Sequence, residues 1–311
     1  MVVSLWVWIA FVAFVLGSLA LDLGLWHRVP RAIETGEAAR RTVIWILLAL
    51  VFAGLLAWRE GVQTGVDFLT GYAVEQALSV DNVVVMAWIF SSLAIPPTYQ
   101  HRVLLWGVLG AMIMRGGFII LGLVLLTKFA WIQYVLGALL LLAAVRILRH
   151  REPETSGGRS LIVRVVERVV PVDPALLGSR WIARDAARNN RWVASPLLIA
   201  LICIELSDIA FATDSIPAIF AITRVPFVVF TATIFATLGL RSLYFLVAAA
   251  MRGIHSFRVA LAIILAIVAL RMLLSSVVEI PDVIVLGIVI IVLVIARLVG
   301  RSPRPEGSAA G

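Results

Sequence analysis

Two short stretches place acidic residues inside otherwise apolar sequence. One reads Glu75-Gln-Ala-Leu-Ser-Val-Asp81-Asn82; the other reads Glu205-Leu-Ser-Asp208, then Thr213-Asp214-Ser215-Ile-Pro217. An ionised carboxylate at the centre of a membrane span costs roughly 2.5–3.5 kcal/mol on insertion scales. Glu75, Asp81, Glu205, Asp208 and Asp214 therefore have to face protein and be neutralised by protons, by arginine or by a bound cation. The nearest cations within apolar blocks are Arg115 and Arg241, read as counter-ions. Five carboxylates against two guanidiniums leave a deficit of three, which protons can fill and one divalent cation can mostly fill. A site exchanging the two would be a metal/proton antiporter.

The donors on offer are hard. Carboxylates, the Asn82 amide, hydroxyls such as that of Ser215 and a freed Thr213 carbonyl suit Mn²⁺, Mg²⁺ or Ca²⁺ better than Zn²⁺ or Cu⁺. His27, His101, His150 and His255 fall in loops or near span ends, so no imidazole ligand is expected. The candidate metal ligands are Glu75, Asp81, Asn82, Glu205, Asp208, Asp214 and Ser215. Helical periodicity puts Glu75, Ser79 and Asn82 on one face, and Glu205, Asp208 and Ser215 on another. Asp214 points away from Glu205 on a straight helix. Pro217 cannot donate to the Thr213 carbonyl and should bend the helix there. Asp22 reads equally as a gate or an interface cap. Lone Cys203 reads as packing, and Arg146 and Arg271 read as snorkelling cations at span ends.

These residues need elements that cross a bilayer. The chain has 311 residues, of which 62% are hydrophobic and 14% charged, against roughly half and a quarter in soluble domains. The excess falls in blocks of about 20 residues, the length of a bilayer-spanning helix. Continuous apolar runs exclude barrel strands, which alternate. The expected class is therefore all-α, a polytopic helical bundle with spans at 2–24, 42–58, 65–93, 103–127, 130–148, 194–220, 226–250, 257–276 and 282–299. Residues 1–300 form one transmembrane domain with a basic cytoplasmic loop at 149–193, and 301–311 form a disordered tail. No basic residue precedes the first block, so it reads as a retained span and not a signal peptide. Arginines crowd alternate loops, which puts the N-terminus outside and the C-terminus in the cytoplasm. The same bias explains the net charge of +8 without nucleic acid.

An internal repeat links spans three to five with spans six to eight. Gly110-Ala-Met-Ile-Met-Arg115 matches Ala236-Thr-Leu-Gly-Leu-Arg241, and Ala144-Val-Arg146 matches Ala269-Leu-Arg271. Each unit has three spans and one loop joins them, so the units run in opposite directions. Inverted repeats of this kind mark transporters, with the site near the midplane.

At these residues the chain resembles the TerC/Alx family of integral membrane proteins. The resemblance rests on Phe68-Leu-Thr-Gly-Tyr-Ala-Val-Glu75 through Asn82, Tyr99-Gln-His-Arg-Val-Leu-Leu-Trp-Gly107 leading to Arg115, and Phe211-Ala-Thr-Asp214-Ser-Ile-Pro217 through Thr223. Gly239-Leu-Arg241-Ser-Leu-Tyr244 and Leu21-Asp22-Leu-Gly-Leu-Trp-His27 also fit. It implies a multi-pass protein of the bacterial cytoplasmic membrane, Mn²⁺ export through intramembrane acids, metal supply to exported proteins and a link to tellurium resistance. Ala232-Thr233 stands where the family usually has Ser-Asn, Glu205-Leu-Ser-Asp208 where it has Glu-Thr-Thr-Asp, and Phe257-Arg258-Val-Ala where it has Phe-x-Tyr-Leu-Lys. These departures bear on ion preference.

The expected function is transport of a divalent metal, with Mn²⁺ as cargo, no resident cofactor and no enzymatic activity. The expected partners are membrane lipid and the ion. A non-transporting role in a stress-response or secretion complex is the alternative, with loop 149–193 as its docking surface. An intramembrane aspartyl hydrolase would need a Gly-x-Gly-Asp flank, which is absent.

Overall fold

A computed structural model describes residues 4–26, 35–129, 131–149, 163, 166, 168, 181–185, 191–249, 254–274 and 281–299. The helices are α1 (Leu5–Trp26), α2 (Thr35–Glu60), α3 (Val62–Ser92), α4 (Pro97–Lys128), α5 (Ile132–Arg149), α6 (Pro196–Phe220), α7 (Pro226–Ala249), α8 (Ile254–Leu274) and α9 (Asp282–Val299). Their starts follow local chemistry. Proline, with its φ preset and no N–H to leave unpaired, opens α4, α6 and α7. Ser195 caps α6 by accepting from the Leu198 N–H at 3.3 Å. Gly61, at φ 99°, makes the turn between α2 and α3 in a conformation that disfavours other residues.

Polarity runs opposite to that of a soluble bundle. Large apolar side chains face outward, among them Trp6, Trp58 and Ile113, while Glu75, Asn82, Arg115 and Asp208 are buried. Among the described residues, four helices are long and apolar enough to cross a membrane: Gly36–Glu60, Val62–Ser92, Pro97–Lys128 and Ile132–Arg149. A fifth follows if the bent pair Pro196–Ala212 and Asp214–Phe220 is one span.

The packing interleaves the two halves of the chain. α3 lies against α2, α6, α7 and α9; α4 lies against α6 and α7; α5 pairs with α8, and α9 also with α8. α1 joins through its rings, with Trp8 on Phe227 at 5.1 Å and Phe11 on Phe52 at 5.8 Å.

The described chain is nearly all helical, as expected, and two details go beyond the expected spans. An antiparallel hairpin, β1 (Ile182–Asp185) and β2 (Arg191–Ala194), pairs Ile182 with Ala194 and Arg184 with Trp192 at the end of the segment expected as a basic cytoplasmic loop. The second apolar block also starts earlier than its hydropathy suggests, because α2 begins at Thr35. Arg41, which precedes the expected span 42–58, is 4% exposed and bonds Glu37 one turn earlier at 2.5 Å. The tail 301–311 and most of loop 149–193 lie outside the described residues.

Candidate functional site

α3 carries the centre of the site. Glu75 is 1% exposed, and both of its carboxylate oxygens accept hydrogen bonds. Arg115 of α4 donates from Nη1 to Oε2 at 2.6 Å, and Thr233 of α7 donates from Oγ1 to Oε1 at 3.3 Å. Three helices therefore meet on one carboxylate. Arg115 is itself buried, and its Nε has no partner among the described residues. Asp208 of α6 is also buried and lies within electrostatic reach of both Arg115 and Glu75. A charge-assisted bond in a dry interior is strong, and removing either member leaves a costly buried charge.

α6 supplies the second acid group. Glu205 is half-buried and sits directly on α4: a Cβ built at Gly110 would lie 2.1 Å from its Oε1. Only glycine at position 110 admits the carboxylate in this place. Asp208 follows Glu205 by just under one turn. It lines a narrow cleft with Gly107, Ala111, Ile204 and Thr237, bounded by Met86 and Leu240. Neither Glu205 nor Asp208 has a direct ion-pair partner among the described residues.

The bend expected at Pro217 is present. The halves Pro196–Ala212 and Asp214–Phe220 meet at 41°, with Thr213, whose carbonyl Pro217 cannot serve, at the join. Asp214 opens the second half and is half-buried. Ser215 is buried, and its hydroxyl has no hydrogen-bond partner among the described residues. Ser79 and Asn82 are buried with Glu75 on α3, and Ser79 donates to the Glu75 carbonyl at 2.7 Å.

The structure thus brings Glu75, Arg115 and Asp208 together and lays Glu205 on α4. Asp81 and Arg241 lie on α3 and α7, and Asp22 on α1, but their side chains are outside the described residues. Among the described residues, no group of three His, Cys, Asp or Glu is placed to hold a metal ion. Cys203 is fully buried in the core. Arg146 is exposed and Arg271 half-buried.

Three residues have roles beyond those expected from the sequence. Thr233, a departure from the family pattern, holds Glu75 through its hydroxyl. Gly110, part of the internal repeat, is the seat of Glu205. Arg41 is a further buried cation, and the Glu37–Arg41 spacing of one turn could have revealed it. A closer register was also available. Glu75 precedes Asp81-Asn82 by the same interval at which Asp208 precedes Asp214-Ser215.

A bundle with apolar walls and buried charges at its centre is an integral membrane protein. The chain belongs to the integral membrane protein TerC family, whose profile matches residues 60–305. It is 41% identical over 295 residues to the membrane protein STKORF319 of Myxococcus xanthus, covering 95% of this chain and 90% of that protein. It is 37% identical over 302 residues to Alx of Escherichia coli (strain K12), named as a candidate membrane-bound redox modulator, covering 94% and 93%. The tellurium resistance protein TerC of Serratia marcescens is 35% identical over 289 residues, covering 86% and 83%. No solved structure matches the chain at a significant level.

Proposed function

We propose that this protein moves divalent metal ions, Mn²⁺ above all, out of the cell through the acid-lined interior of its helix bundle, with protons as the counter-cargo. One observation carries the reading. The buried guanidinium of Arg115 is committed to Glu75 at 2.6 Å, while Asp208 sits beside the pair and Glu205 less than a turn away with no direct ion pair among the described residues. α6 therefore holds acid in excess of its fixed cations, and a mobile cation or proton has to balance it. In this reading Asp81, Asn82, Glu205, Asp208, Asp214 and Ser215 provide the hard oxygen donors. Glu75, both of whose oxygens are already engaged, acts mainly by holding Arg115 in place.

The helix pairings support an inverted repeat of α3–α5 and α6–α8. Exchanging the units turns the α3–α7 contact into α6–α4, and α5–α6 into α8–α3. It leaves α3–α6, α4–α7 and α5–α8 unchanged, and all of these contacts are present. With α1, α2 and α9, that arrangement makes a nine-span protein of the cytoplasmic membrane with its N-terminus outside. Tellurium resistance, in the name of the Serratia relative, enters as a linked trait and not as tellurite transport, because an oxyanion does not suit an acidic interior.

The test is Mn²⁺ uptake by inside-out vesicles under an imposed pH gradient. Wild-type protein should accumulate the ion, while Asp81→Asn, Asp208→Asn and Asp214→Asn at equal membrane abundance should not. Wild-type rates in the three variants, or no uptake by the wild type, would sink the reading.

A further inference from the structure

Oxygen donors alone do not account for the Mn²⁺ preference proposed above. Carboxylates, amides and hydroxyls suit Mg²⁺ and Ca²⁺ as well as Mn²⁺. Discrimination needs a contact from which the two alkaline-earth ions gain little, and the cleft beside Asp208 contains one. Its walls carry three side-chain donors: the Asp208 carboxylate, the Thr237 hydroxyl and the Met86 thioether. The remaining walls are aliphatic side chains and glycine. Thr237 donates its proton to the Thr233 carbonyl at 2.8 Å, which leaves its oxygen lone pairs for a cation.

Position ties Met86 to the acidic site. Glu75, Ser79, Asn82 and Met86 follow one another at intervals of three or four residues, so they form one stripe along α3. All four are buried. Met86 continues the polar face of α3 into the cleft. Packing alone does not call for sulfur there. In the register that aligns Glu75 with Asp208, Met86 falls on Ile219. Ile219 is 1% exposed in an apolar cluster and does not line the cleft. Where this register meets only core, an aliphatic side chain serves.

Resting on the transport reading, we propose that Met86 is a specificity-determining residue: its thioether contacts a divalent cation in the cleft beside Asp208 and favours transition-metal ions over Mg²⁺ and Ca²⁺. Sulfur is polarisable and bonds softer cations, while Mg²⁺ and Ca²⁺ keep to oxygen. Cd²⁺, softer than Mn²⁺, is the sensitive probe.

Met86→Leu keeps the volume of the side chain and removes the sulfur, a swap that cores tolerate. Ca²⁺ and Cd²⁺ are titrated against Mn²⁺ uptake in inside-out vesicles. The ratio of the half-inhibitory Ca²⁺ concentration to that of Cd²⁺ should fall at least about tenfold in the variant, the lower end of what a lost outer-shell contact does to metal affinity. Met112→Leu, at a half-buried methionine away from the cleft, should leave the ratio at its wild-type value. If Met86→Leu inserts without turning over, competition for Mn²⁺ binding to the purified protein, read from the paramagnetic resonance signal of free Mn²⁺, supplies the same ratio. An unchanged ratio overturns the role of Met86 and leaves the transport reading standing. An equal fall with Met112→Leu does the same. Neither uptake nor binding of Mn²⁺ by the wild type would remove the transport reading and this role with it.

Discussion

The Glu75–Arg115 pair offers a sharp energetic test. Arg115→Met keeps the length of the side chain but leaves a carboxylate that is 1% exposed with Thr233 as its remaining donor. Breaking a buried pair from one side costs about 3–5 kcal/mol. The Thr233 hydroxyl, at 3.3 Å, offsets about 1 kcal/mol of that. Arg115→Met should therefore lose about 2–4 kcal/mol. Glu75→Gln should cost less, about 1–3 kcal/mol, because the amide oxygen can still accept from Arg115 and Asp208 remains near the cation. The double variant Glu75→Gln/Arg115→Met removes both charges and should lie within about 1 kcal/mol of wild type, since neutral replacement of a buried pair is often tolerated. The coupling energy is then at least about 2 kcal/mol. Equilibrium unfolding of the purified protein in mixed micelles, followed by helical circular dichroism, measures all four corners of the cycle. Additive single effects, with coupling under about 0.5 kcal/mol, would refute the assignment of the pair as the energetic centre. Transport adds a second reading. If Glu75 serves mainly to hold Arg115, the double variant should retain a measurable fraction of Mn²⁺ uptake that Asp208→Asn abolishes.

Two further substitutions probe geometry. Gly110→Ala puts a methyl 2.1 Å from the Glu205 carboxylate, the movable end of a flexible side chain. Stability should therefore change by less than about 1 kcal/mol, helped by the helix propensity of alanine, while uptake falls at least about tenfold through displaced Glu205; vesicle transport and unfolding on one preparation check both. Pro217→Ala restores a donor for the Thr213 carbonyl and should reduce the 41° bend in α6. Spin labels placed on the two halves of α6 should move apart, uptake should drop, and stability should hold or rise; an unchanged distance would mean that packing, and not proline, sets the bend.

The features legible in the sequence were those set by local chemistry. Apolar blocks located the helices because bilayer thickness dictates their length. Pro217 located the bend because a missing N–H acts four residues back. Arg115 was picked out as a counter-ion because a charge in an apolar block needs an opposite one. What stayed hidden depends on which helices become neighbours. Thr233 is one of several threonines on α7, and only the approach of α7 to α3 brings its hydroxyl to Glu75. Gly110 reads as any helical glycine until α6 lays Glu205 on it. Arg41 falls outside the apolar block because hydropathy drops at Arg40-Arg41, whereas α2 begins before it and buries it. The hairpin is not evident in the sequence because its strands are four residues each, too short for alternation to stand out.

The interleaving of helices constrains how the protein comes to exist. The lasting neighbours of α3, α4 and α5 within the bundle are mainly α7, α6 and α8, all of which emerge from the ribosome after the central loop. α3 and α4, although consecutive, are held apart in the finished protein by helices that have not yet been synthesised when these two enter the membrane. Helices in lipid insert first and associate afterwards, so the first half waits as separate spans until the second half arrives to fill the gaps. A chain truncated in the central loop would thus present Glu75 and Arg115 without the surfaces that enclose them, which makes it a target for membrane proteolysis instead of a smaller working unit.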